Sequence, residues 1–404
     1  MLFSEPMPPV QQLILALGII ILAAKSMGYV SVRLGQPAVL GELLAGLVLG
    51  PTMLNLFSPP IFTDKHLLEV IHELGELGVI FLMFIAGLEV DLQAMLRAGK
   101  VSTFAGVLGV VAPIALTIPI GMLFAYNLPK GIFIGIILAA TSVSISAQTL
   151  MELGRLRSRE GTVLLGAAVI DDVIVIIILS LFLAFYNASA DLIQIGSIIV
   201  REVLFISVAI FIGARLLPRL VDWVTGLPIS EGVMALVLCV TLFYAWSAEI
   251  LGAIAAITGA FLAGVFFART SQYHAIERGM HTLAYSFFVP IFLISIGLQA
   301  NARTLHAEEL WLTGAIIVVA IISKIVGCGL GAWLGGLSAQ QGLRVGIGMI
   351  SRGEVGLIVA GIGKANNLVT NGIYACVVVM VLVTTLITPL LLRWAFAPVE
   401  VTNG

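Results

Sequence analysis

Asp171 and Asp172 stand side by side within an otherwise apolar run, Gly166 to Ile176. A carboxylate holds a proton or a cation but not both, so such a pair offers ion binding, proton carriage or acid–base chemistry. Three more charges interrupt other apolar runs: Lys324 in Ala-Ile-Ile-Ser-Lys-Ile-Val-Gly, and Arg352 and Glu354 in Met-Ile-Ser-Arg-Gly-Glu-Val-Gly-Leu. A lysine can neutralise a buried aspartate or carry a proton itself. Successive helix positions point about 100° apart, so neighbouring carboxylates diverge, and two ionised neighbours repel unless one is paired or protonated. Arg352 and Glu354 are two positions apart on different helix faces, placed either to bridge separate partners in a site or only to hold the fold.

The elements that carry these charges are membrane helices. The chain has 404 residues, of which 60% are hydrophobic and 10% charged, with a mean hydropathy of +1.14. Soluble domains carry about a quarter charged residues. Continuous apolar runs exclude a β-barrel, whose strands alternate. A net charge of -2 without a long basic cluster speaks against a nucleic-acid partner. The N-terminus lacks the pattern of a cleaved signal peptide, so the first apolar run is expected to remain, and no cytosolic domain is expected after the last helix. Cys239, Cys328 and Cys376 fit neither a disulfide framework nor a metal site and read as small buried residues. No cofactor is expected.

Hydropathy and breaker residues predict thirteen transmembrane helices, near 10–34, 38–56, 74–92, 101–126, 130–152, 160–186, 194–221, 231–250, 252–270, 281–299, 310–336, 341–364 and 371–397. With the N-terminus outside, twelve basic residues fall on the cytoplasmic side against five outside, which predicts an external N-terminus and a cytoplasmic C-terminus. At 1.5 Å per residue, a position about ten residues into a span lies near the bilayer centre. Asp171, Asp172, Lys324, Arg352 and Glu354 all lie there. Each buried charge costs roughly 2.5–3.5 kcal/mol at that depth, so the five are expected to face one another or water in one site.

Two helices are expected to break at the same depth. One contains Thr141-Ser142-Val143-Ser144-Ile145-Ser146, whose hydroxyls can satisfy freed backbone groups or simply bond back to the preceding turn; the other contains Ser351-Arg352-Gly353-Glu354. Both segments are fourth in a five-helix block, helices two to six and nine to thirteen. The offset of seven helices is odd, so the blocks are inverted. Inverted repeats with discontinuous helices meeting at the midplane are a transporter architecture.

On these residues the chain resembles the sodium/proton antiporters of the monovalent cation:proton antiporter-2 family, the electrogenic NapA-like group. The motifs are Gln36 to Gly46, Thr141-Ser142-Val143-Ser144, Ile170-Asp171-Asp172, Lys324, and Arg352 to Ala360. The resemblance implies an all-α membrane protein with two crossed discontinuous helices and a homodimer. It divides the chain into dimerisation helices at 10–99 and 231–299, a core ion-transport domain at 101–186 and 310–397, and a linking helix at 194–221. It makes Asp172 the ion-binding carboxylate and Asp171 the partner of Lys324, with Thr141, Ser142 and Ser144 lining the site; Asp172, Asp171 and Thr141 are the expected Na+ ligands, and Arg352 and Glu354 support them. Glutathione-gated potassium efflux relatives carry Gln-Asp where this chain has Asp171-Asp172, and the electroneutral branch usually has Asn-Asp.

The expected activity is exchange of cytoplasmic Na+ or Li+ for external protons across a prokaryotic plasma membrane. Asp172, loaded alternately from each side, is sufficient for exchange. Desolvation weakens a lysine's hold on its proton, so Lys324 can release one when sodium draws Asp171 away, which would make transport electrogenic. Potassium/proton exchange is the main alternative, because ligand type alone does not fix cavity size. An intramembrane aspartyl protease is a remote one, since its two aspartates must share a water and normally come from different helices. A channel would need a filter-like repeat, and none is present.

Overall fold

The computed structural model describes the chain except residues 1–6, 60, 91, 187–191, 300–308 and 398–404 and, within helices, the side chains at 92, 94–96, 180, 184, 192–195, 354 and 365. All the described secondary structure is helical: α1 Pro9–Arg33, α2 Ala38–Leu49, α3 Leu67–Glu89, α4 Leu92–Leu123, α5 Leu128–Ala139, α6 Val143–Glu152, α7 Arg159–Tyr186, α8 Leu192–Arg215, α9 Leu217–Thr225, α10 Gly232–Ile250, α11 Ala256–Phe267, α12 Tyr273–Leu283, a π-helical turn Ala284–Phe288, α13 Val289–Gln299, α14 Leu310–Leu334, α15 Ala339–Gly348, α16 Glu354–Ala365 and α17 Asn371–Phe396. Among the described residues, 10 stretches are long and apolar enough to cross a membrane. The chain is a multi-pass membrane protein.

Local chemistry sets several helix ends. Asn127 accepts from the Lys130 amide at the start of α5, Ser338 and Gln341 form a capping box at α15, and Thr370 accepts from the Ile373 amide at α17. The segment expected as helix to residue 56 stops at Leu49, because Pro51 disfavours helical backbone at Gly50. The expected linking helix is two helices, α8 and α9, parted at Leu216 just before Pro218, which has no amide hydrogen to continue the ladder. The helix expected from 281 begins earlier, at Tyr273, since α12 is too polar for hydropathy to register. Cys328 and Cys376 are buried as expected, whereas Cys239, in α10, is exposed.

The chain divides into two compact units. The first comprises Met1–Met27, Glu42–Arg97 and Asp172–His306. In it α3 packs on α11 and α13, and α11 on α10. The α3–α11 approach is a small-residue seam: a Cβ on Gly87 would collide with the Phe261 carbonyl, and one on Gly264 with the Phe84 carbonyl. Phe84 and Phe267 meet edge-on beside it, with centroids 5.7 Å apart.

The second unit comprises Gly28–Gly41, Ala98–Asp171 and Ala307–Gly404. Here α14 packs on α15 and α17, α17 also touches α6, α15 and α16, and α5 packs on α16. Arg344 on α15 pairs with Glu160 on α7 at 2.8 Å. The boundary between the units falls inside α7, between Asp171 and Asp172.

Candidate site at the crossing of two interrupted helices

Both expected interruptions are present. Between α5 and α6 the backbone leaves the helix at residues 140–142, with Ser142 extended at φ -101°, ψ 104°. Between α15 and α16 it does so at residues 349–353. The two gaps are bonded to each other, the Ser142 amide donating to the Ser351 carbonyl at 2.9 Å. Gly353 is required by this approach, since a Cβ there would lie 2.7 Å from both Cβ and Oγ of Ser142.

The hydroxyls divide into two roles. Thr141 Oγ1 donates to the Ala139 carbonyl at 3.1 Å, on the end of α5. Ser142 and Ser144 hydroxyls bond each other at 3.0 Å, and Ser146 Oγ donates to the Gly348 carbonyl at the end of α15. Ser144 and Ser146 were expected within the break; both lie in α6, because the chain regains helix at Val143. All four are buried. Neither α6 nor α16 has a side-chain cap on its first turn, so two positive helix ends stand uncapped at the crossing.

Four of the five membrane-depth charges expected to share one site have these partners in the structure. Lys324 on α14 donates to Asp171 Oδ1 at 2.8 Å, with both side chains fully buried. Arg352 takes no carboxylate among the described residues. It donates to the carbonyls of Met349 at 3.0 Å and Ile350 at 2.6 Å and to that of Ala320 on α14 at 3.1 Å. A cation is favourable at a helix C-terminus, where unpaired carbonyls gather, and Arg352 fills that place on α15. Asp172 Oδ2 accepts from Thr258 Oγ1 at 3.3 Å, both groups being buried within the first unit. The Glu354 side chain lies outside the described residues.

Three buried polar atoms of the second unit have no hydrogen-bond partner among the described residues: Asp171 Oδ2, Ser351 Oγ and Arg352 Nε. No cluster of three metal-ligating His, Cys, Asp or Glu residues occurs among the described residues.

Two polar partners were not foreseen. Thr385 Oγ1 on α17 donates to the Arg352 carbonyl at 2.7 Å, and Thr258 engages Asp172. The signal that exposed Thr141 to Ser146, hydroxyls within an apolar run, is also present at Thr384-Thr385 and Thr258.

The family described as "Sodium/hydrogen exchanger, transmembrane" matches residues 19–397. Among curated relatives, the Na(+)/H(+)-K(+) antiporter GerN of Bacillus cereus is 38% identical, over 94% of this chain and 95% of that one. The Na(+)/H(+) antiporter of Enterococcus hirae is 36% identical, over 93% and 96%. Among solved structures, the sodium proton antiporter MjNhaP1 from Methanocaldococcus jannaschii superposes with a TM-score of 0.71 at 17% identity, covering 96% of this chain and 98% of that one, a likeness of fold. On the match along nearly its whole length, the chain belongs to the transmembrane sodium/hydrogen exchanger family.

Proposed function

We propose that this protein is a secondary-active antiporter that exchanges cytoplasmic Na+ for external protons by alternating access, with Asp172 as the carboxylate that holds one or the other. The observation that carries the reading is the buried Lys324–Asp171 pair in the unit that contains the two bonded helix interruptions. Burying two charges in a membrane protein is costly, and a pair of hydrophobic side chains would generally serve stability as well. A role in ion exchange accounts for keeping it.

In this reading Na+ is cargo, drawn by the ionised Asp172 and by oxygens of Thr141, Ser142 and Ser144, while Asp171 releases Lys324 as the cation enters. Lys324 then gives up a proton, so two protons move against one Na+ and the exchange is electrogenic. The carboxylates of Asp171 and Asp172 take separate partners, Lys324 and Thr258, which does not favour a protease that needs both on one water. The five-helix blocks are assigned as inverted repeats. The segments at 101–186 and 310–397 are assigned to ion transport, those at 10–99 and 231–299 to a homodimer interface and 194–221 to the link. The N-terminus is placed outside a prokaryotic plasma membrane and the C-terminus in the cytoplasm.

Potassium/proton exchange is a second reading, favoured by the similarity to GerN, an Na(+)/H(+)-K(+) antiporter. The test is a pH-jump in proteoliposomes with a trapped fluorescent pH indicator, comparing Na+, Li+ and K+. A response to Na+ and Li+ at lower concentration than K+ supports sodium exchange, a K+ preference supports the second reading, and no cation-dependent proton movement refutes both.

A further inference from the structure

Thr258 is the third residue of α11, a twelve-residue helix whose N-cap, Ala255, supplies no side-chain bond. It is buried, as is Asp172, and its hydroxyl is 3.3 Å from Asp172 Oδ2. A carboxylate in that place also feels the positive end of α11. A carboxylate turns about its terminal torsion in a broad, two-fold well, so an ion-binding aspartate needs something to fix the plane of its oxygens. A hydroxyl has one hydrogen to give and two lone pairs to keep, so Thr258 can hold Oδ2 and still present an oxygen to a cation beside it.

We propose that Thr258 is a positioning residue for cation binding, holding the Asp172 carboxylate by its Oδ2 so that the cation meets an already oriented oxygen. This rests on Asp172 as the ion-binding carboxylate, and it adds a determinant from α11, which none of the motifs at 36–46, 141–144, 170–172, 324 and 352–360 contains. Pre-organised donors cost no reorganisation when the ligand arrives, so the loss of the hydroxyl acts on affinity and leaves turnover at saturation nearly intact.

The test uses the full-length protein in proteoliposomes, measuring apparent KM and kcat for Na+-driven proton movement in Thr258→Val, Thr258→Ser and Asp172→Asn. Valine keeps the shape of threonine without the hydroxyl, and serine keeps the hydroxyl without the methyl. The expected result is a KM raised about tenfold in Thr258→Val with kcat within about twofold, and a KM restored to within about twofold in Thr258→Ser. An unchanged or lowered KM in Thr258→Val overturns the proposal, as does a serine variant that fails to restore it while eluting as folded protein. If Asp172→Asn still exchanges, the underlying site assignment fails instead; if it is inactive while Thr258→Val is normal, only the positioning role falls.

Discussion

Replacing Lys324 and Asp171, singly and together, separates structure from proton carriage. The pair is fully buried at 2.8 Å. The space above it is closed: a Cβ on Gly109 would lie 3.6 Å from both Asp171 Oδ1 and Lys324 Nζ and would collide with Cys328 Sγ. Lys324→Ala leaves the buried carboxylate without its partner, and breaking a buried pair by removing one partner costs on the order of 3–5 kcal/mol, less where the orphan picks up a proton. Asp171→Asn with Lys324→Gln replaces the ion pair by two amides of similar size and should cost far less, since no charge is left buried. The expected order of melting temperature in detergent is parent close to the double variant, both above Lys324→Ala. Voltage-dye response in proteoliposomes supplies the second axis. With Asp172 as the only proton carrier, the double variant should exchange one proton per Na+ and build no voltage. A double variant that exchanges and still builds a voltage removes Lys324 from the proton path, and a Lys324→Ala protein as stable as the double removes the argument about buried charge.

Asp172→Asn should abolish exchange while leaving expression and melting temperature at least as high as the parent's, because a buried charge is removed; sodium-driven proton movement in that variant would refute the assignment. Ser142→Leu combined with Ser144→Leu should raise the Na+ concentration for half-maximal exchange by filling the polar gap and removing oxygens, and an unchanged value would make those hydroxyls packing groups only. Arg352→Gln should lower stability by about 3 kcal/mol or more, since hydrogen bonds from a charged donor contribute about 1.5–3 kcal/mol each. Arg344→Gln, whose side chain is 21% exposed, is the comparison, and equal losses from the two would contradict the capping role of Arg352.

Much of this arrangement was legible because lipid penalises polarity. Charges and hydroxyls inside apolar runs are conspicuous, and they led directly to Asp171, Asp172, Lys324, Arg352 and the stretch from Thr141. What each touches was not legible. Arg352 reads as bridging separate partners or only holding the fold; its partners are backbone carbonyls, which have no sequence signature, and only the break that frees them could have suggested it. Gly353 is required for its missing Cβ, which admits Ser142, a packing demand that a lone glycine in a sequence does not announce. Helix ends were displaced where hydropathy and helicity part company, as in the polar α12 and at the Pro218 interruption. Thr258 is ambiguous in sequence because a lone threonine in an apolar helix usually bonds back to its own preceding turn, as Thr241 and Thr117 do here, and Thr385 shares its signal with Thr384, which bonds back to Met380.

The partners of Arg352 also explain why the crossing can be broken without being loose. Interrupting two helices frees carbonyls and amides that lipid cannot satisfy. On α15 the carbonyls go to one guanidinium, which reaches across to Ala320 on α14 as well, and the carbonyl of Arg352 itself is taken by Thr385 on α17. Ser146 of α6 closes on Gly348 of α15, and the Ser142 amide on Ser351. Shifting the α15–α16 interruption alone would therefore break bonds to α6, α14 and α17 together. The second unit ties its two interruptions to each other and to α14 and α17. The amides at the starts of α6 and α16 receive no side-chain cap, and those positive ends favour an anion at the crossing rather than a bare cation. In the proposed reading, cation binding there depends on an ionised carboxylate, which is the condition under which a proton and a cation compete for one place.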